Sequence, residues 1–191
     1  MKKLILTLML LAGLTTMAQT GHMTFKGVPI DGNLNTVVSK LKQKGFTMVH
    51  SENGVAMMTG DFASFKNCTV VVSEHETGVV NRVSVIFPDK YTWVSLYNDY
   101  SKLKNMLIEK YGEPVVVEEV FQNQSSYGFD DNDRIHEVRM DRCSYGCAWV
   151  TENGGIELRI EHNVMIGCYV FLLYLDSKNE AKVHSSAIDD L

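Results

Sequence analysis

Residues 92–114, TWVSLYNDYSKLKNMLIEKYGEP, leave this chain the fewest choices. Trp93, Leu96, Tyr97, Tyr100, Leu103, Leu107 and Tyr111 recur at helical spacing, so a helix here carries a wide apolar stripe. Thr92 can cap its start, because its hydroxyl accepts a bond from a first-turn N–H. Lys110 falls in the last turn, Gly112 suits the left-handed residue that follows, and Pro114 cannot continue the helix. Such a helix must lay its stripe on another element. The segments on either side of it are β-rich.

Ahead of this helix, residues 23–30 read as a short strand that Pro29 ends or keeps at an edge. Asp31-Gly32-Asn33 is a turn that caps a first helix. Leu34, Val37, Val38 and Leu41 give that helix its apolar face, and Gly45 ends it. Residues 46–50 and 55–59 flank Ser51-Glu52-Asn53-Gly54, a strong hairpin signal. Residues 60–67 read as a loop or bulged connection, and 68–73 and 79–87 as two more strands. After the central helix, 115–121 is a strand and 122–133 a long polar loop. Residues 135–141 alternate. A second hairpin joins 148–151 to 156–161 through Glu152-Asn153-Gly154-Gly155, and 168–175 is apolar enough for a strand buried on both faces.

The order of a helix followed by strands thus occurs twice, with Ser51-Glu52-Asn53-Gly54 echoed by Thr151-Glu152-Asn153-Gly154. The pattern predicts an α+β protein: two helices packed on one face of a largely antiparallel sheet, built from two similar α-then-β halves. The halves are residues 19–89 and 90–176, with 177–191 as a polar tail.

Residues 1–18 stand apart. Met1-Lys2-Lys3 is a positive start, residues 4–13 are apolar, and Thr16-Met17-Ala18 makes a small-residue cleavage site before Gln19. The apolar run is shorter than the ~20 residues that span a bilayer. The pattern predicts a signal peptide and an exported chain, periplasmic or extracellular, without stable membrane insertion after cleavage. Without Lys2 and Lys3 the chain carries 16 basic against 23 acidic residues, a net charge of −7. That balance argues against nucleic acid as a partner.

Export also bears on Cys68, Cys143, Cys147 and Cys168, since an even cysteine count in an exported chain favours disulfides. Cys143 and Cys147 flank Ser144-Tyr145-Gly146, which reads as a three-residue turn that would bring the two within disulfide range. The other reading keeps the four as small buried thiols. The spacing lacks the paired CxxC of a zinc site.

Several sequence habits run through the chain: the lysine-bearing leader ending Met17-Ala18-Gln19, the opening Met23-Thr24-Phe25-Lys26-Gly27-Val28-Pro29-Ile30-Asp31-Gly32, the helix ends Lys44-Gly45-Phe46 and Glu109-Lys110-Tyr111-Gly112-Glu113-Pro114, and the closing Asp189-Asp190-Leu191. In these it resembles small exported proteins of Bacteroides-type bacteria, a resemblance that implies export and assigns no function. The repeated helix-plus-strands plan is also similar to the β-lactamase inhibitor protein fold, in architecture alone.

Chemistry is sparse in the pattern. The histidines form no HExxH and no paired helical spacing. By strand phase His136 and His162 both face inward, where two ligands do not complete a metal site. Asp130-Asp131-Asn132-Asp133 completes neither register of a calcium loop, which leaves a solvated loop with weak calcium binding as the lesser reading. No GxSxG elbow appears, and Glu118-Glu119 point to opposite faces of a strand. Tyr127 and Phe129, in the polar loop, have no periodic reason to be buried and are the candidate contact residues for a partner or sugar. No catalytic residue, metal ligand or cofactor is assigned. The leading expectation is an exported, non-enzymatic binding module with a protein or glycan partner. The alternative is a small secreted hydrolase whose His or Cys the pattern does not place, and a third is an envelope structural or assembly factor.

Overall fold

The computed structural model describes residues 21–122, 129–163 and 167–189. Residues 1–18, read as the leader, and Tyr127 lie outside them. The described chain is α+β, with four helices and extensive antiparallel sheet. In chain order the elements are β1 (Thr24–Phe25), β2 (Val28–Pro29), α1 (Leu34–Gln43), β3 (Thr47–Glu52), β4 (Val55–Phe62), β5 (Phe65–Glu74), β6 (Val80–Ile86), α2 (Trp93–Tyr111), β7 (Val116–Phe121), α3 (Asp131–Arg139), β8 (Cys143–Thr151), β9 (Gly154–His162), β10 (Cys168–Asp176) and α4 (Ser177–Asp189). They group into two compact units. The first holds the described residues up to Ile86, Thr151–Ile156 and those from Leu173 onward; the second holds Phe87–Val150 and Glu157–Leu172.

In the first unit the strands run in the order β3-β4-β5-β6, each pair antiparallel. The register sets Met58 opposite Val70 and Val70 opposite Val85, and Ala56 opposite Val72 and Val72 opposite Val83. Because strand side chains alternate, this builds one apolar face, and all six of those residues are fully buried. α1 buries Leu34, Val37, Val38 and Leu41, the four positions its spacing indicates. The Asn33 side chain caps the helix by accepting from the Thr36 N–H, and a Glu74 carboxylate oxygen accepts from the Leu34 N–H at 2.8 Å. The β3–β4 turn is Asn53-Gly54, with φ of 49° and 74°; a Cβ on Gly54 would also press on the Glu74 carbonyl at 3.0 Å. Of the two readings of residues 60–67, the bulged connection holds rather than the loop: β4 runs on to Phe62 with a register shift between Gly60 and Phe62, and β5 starts at Phe65 after a two-residue turn, Ala63-Ser64, in left-handed conformation. The turn type was hidden because neither residue is Gly or Asn.

In the second unit the order is β10-β9-β8-β7. α2 has the predicted bounds. Thr92 caps it, Trp93, Leu96, Tyr100, Leu103 and Leu107 are its buried stripe, and Gly112 ends it at φ 81°. The Gly112 carbonyl accepts from the Trp149 indole at 2.8 Å, which ties the helix end to β8. Each such large apolar side chain, once buried, stabilises the fold by ~1.5–3 kcal/mol.

Three expectations are corrected. Residues 131–139 form a helix, α3, where the pattern reads loop and then alternation, and the stretch read as a polar tail forms α4, so there are four helices rather than two. The third concerns Cys143 and Cys147. Both lie within one strand, β8, and all four cysteines are free thiols. Four residues of extended chain span ~13 Å, about twice the Cα separation a disulfide tolerates.

Candidate functional site

The site grows from the β7–β8 register. Glu119 lies opposite Tyr145, Phe121 opposite Cys143 and Val117 opposite Cys147. Strand alternation therefore puts Glu119, Phe121, Tyr145 and Cys147 on one face, and α2 covers that face. The Tyr100 hydroxyl contacts both Glu119 Oε1, at 2.9 Å, and Cys147 Sγ, at 3.5 Å.

Aromatic rings gather at the N-terminal end of α2. Trp93 meets Phe121 and Tyr145 edge-on, each with ring centroids 5.0 Å away, and stacks on Tyr97 at 5.6 Å. Phe129 meets Phe121 edge-on at 5.0 Å. Edge-to-face and offset arrangements are those the ring quadrupole favours, at about 0.5–1.5 kcal/mol per pair beyond burial. Trp93 is 5% exposed and Tyr97 40%, so Trp93 is wall and Tyr97 is surface.

α3 closes the other side. Asp130 and Asp133 form a capping box at its start. The Asp131 carboxylate reaches across to α2 and accepts from the Trp93 and Val94 N–H groups at 3.2 and 2.7 Å. The acidic run is thus spent on two helix starts, where a negative charge also meets the helix dipole. One turn on, the Arg134 guanidinium lies over the Phe129 ring, 5.6 Å from its centroid. Among the described residues that guanidinium has no ion pair or hydrogen bond.

Between these groups opens a cleft of about 370 Å³. Tyr97, Phe121 and Phe129 supply its rings, and Asn98, Glu119, Arg134 and Tyr145 its polar groups. Glu119 is anchored from behind: Lys104 Nζ donates to Oε1 at 2.6 Å alongside the Tyr100 hydroxyl. Burial, with Glu119 adding to it, pushes the Tyr145 phenol up to about 12, and burial pushes the Cys147 thiol up to about 11. Both stay protonated at neutral pH, Tyr145 as a hydrogen-bond donor and Cys147 as a poor nucleophile.

Of the two contact residues expected from sequence, Phe129 is half-buried at the rim of the cleft, and Tyr127 lies outside the described residues. The sequence does not single out Glu119, Phe121, Arg134 or Tyr145. Asp130 and Asp133 held the one usable signal, a D-x-x-D capping box that would have started a helix at Asp131 and set Arg134 one turn in. The histidines lie elsewhere. His22 joins the buried Asp176 at 3.1 Å, His162 joins Asp141 at 3.3 Å, and His136 is exposed on α3 rather than inward beside His162. No group of three or more His, Cys, Asp or Glu among the described residues could hold a metal ion, and no described helix is long and apolar enough to cross a membrane. Comparison with protein-family models, with curated proteins and with solved structures finds no match for this chain.

Proposed function

We propose that this protein is a non-enzymatic binding module whose ligand docks in the aromatic cleft of the second unit. One observation carries the reading. Rings from α2, β7 and Phe129, two residues ahead of α3, converge on a concavity whose rim holds an exposed Tyr97 and an Arg134 with no ion pair or hydrogen bond among the described residues. Concave sites that mix aromatic walls with a few convergent polar groups are the usual form of a ligand site. The leader pattern of residues 1–18 supports export, and with it a ligand met outside the cytoplasm. We also read residues 19–89 and 90–176 as similar halves, since α1 leads into β3–β6 as α2 leads into β7–β10.

The test is a thermal-shift panel of soluble glycans and peptides on the chain from Gln19, run in parallel on Tyr97→Ala. A ligand that raises the parent's Tm and leaves Tyr97→Ala unmoved supports the cleft. Ligands that raise both equally would place the site elsewhere.

A further inference from the structure

We infer that the cleft takes an acidic sugar, its carboxylate paired with Arg134 and its ring laid on Tyr97; this rests on the cleft being the ligand site. Charge pairing at the cleft favours a carboxylate. Glu119 is already held by Lys104 and the Tyr100 hydroxyl. Asp131 is engaged by the start of α2, and Asp130 and Asp133 by the start of α3. Arg134 alone among the charged groups at the cleft has no partner among the described residues. Its guanidinium carbon lies over the Phe129 ring, 5.6 Å from the centroid, and a guanidinium on a ring face keeps its N–H groups for a two-point bond to a carboxylate.

The rest of the wall suits a sugar ring. Tyr97 has one face stacked on Trp93 and is 40% exposed, so it offers a platform for a flat apolar ring face. Around it stand Asn98, Glu119 and the Tyr145 hydroxyl, a mixed set of donors and acceptors suited to hydroxyl groups spaced around a ring. A purely aromatic acid would cover Asn98 and Tyr145 without pairing their polar atoms, a loss that sites of this kind discriminate against. At about 370 Å³ the cleft sits near the small end of ligand sites, which favours a ring-sized ligand over an extended chain.

The experiment is an NMR titration of the chain from Gln19 with sodium glucuronate, glucose and benzoate, read at the two indole N–H signals. Trp93 is in the cleft wall, and Trp149, bonded to the Gly112 carbonyl, is the internal control. The expected result is that glucuronate moves the Trp93 signal with a Kd at least about tenfold below that of glucose. Arg134→Gln should erase that preference and Tyr97→Ala should weaken both sugars. Arg134→Lys, which keeps the charge without the fork, should retain part of the preference and guards against a misfolded Gln variant. Equal binding of the two sugars, or a preference that survives Arg134→Gln, overturns the acidic-sugar inference and leaves the cleft as a site. Benzoate moving Trp93 where glucuronate does not has the same meaning. No response to any of the three also overturns it, and the glycan and peptide panel then decides the cleft reading separately.

Discussion

Among single residues, Tyr97 and Cys147 give the sharpest readouts. Tyr97 is 40% exposed but stacks on Trp93 and meets Tyr145 edge-on, so Tyr97→Ala should cost about 1–2 kcal/mol in urea unfolding, and lower the ligand affinity of the folded protein by about tenfold or more. Unchanged affinity in the folded variant would make Tyr97 structural alone. Cys147 and Cys68 have thiols pushed from 9.0 up to about 11 by burial. A group whose folded-state pKa is raised in this way supports the fold fully below its unfolded pKa and loses that support as pH rises through the folded one. Stability should therefore fall between pH 9 and about 11, and Cys147→Ala should flatten part of that fall. Thiol labelling of the native protein at neutral pH should find the half-buried Cys143 first and the buried Cys68, Cys147 and Cys168 only on unfolding.

At the scale of elements, α3 matters most to the site, because it carries Arg134 and its first residue caps α2. Asp131→Ala should remove acceptors from two N–H groups at the start of α2 and cost about 1–2 kcal/mol. It should also weaken cleft binding, since Trp93 is the first residue of that helix. Unchanged binding in a destabilised Asp131→Ala would separate the cap from the site. In the first unit Asn179, in α4, has no exposed surface and donates its amide to the Ile30 and Val80 carbonyls, both at 3.0 Å. Asn179→Ala would leave those acceptors buried and unpaired, at a cost of about 2–3 kcal/mol measured by urea midpoint. How well each element could be read follows from what orders it. α1 and α2 carry their own periodicity and caps, so both were legible to their ends. α3 buries only Ile135, Glu137 and Val138 and is held by its capping box, so its apolar period is weak. α4 is ordered by polar tertiary bonds such as that of Asn179, which leave no trace in a hydrophobic pattern.

At the scale of the molecule, the α+β class and antiparallel pairing followed from alternation and turn chemistry. The cleft did not. Its rings come from residues 93, 97, 121, 129 and 145, and only the β7–β8 register and the α3 helix bring them together. Tyr145 shows the difficulty: read as a turn between two cysteines, it is a strand residue facing α2. The same placement predicts four free thiols per chain in denatured protein recovered from an oxidising fraction, counted by mass after alkylation. A Cys143–Cys147 bridge found there would contradict the β8 strand itself. The most direct test that ligand docks in the cleft is a backbone amide shift map with whichever panel ligand binds. Perturbation clustered on residues 93–98, 119–121, 131–134 and 145 is the predicted result. Perturbation confined to strands β3–β6 would contradict it.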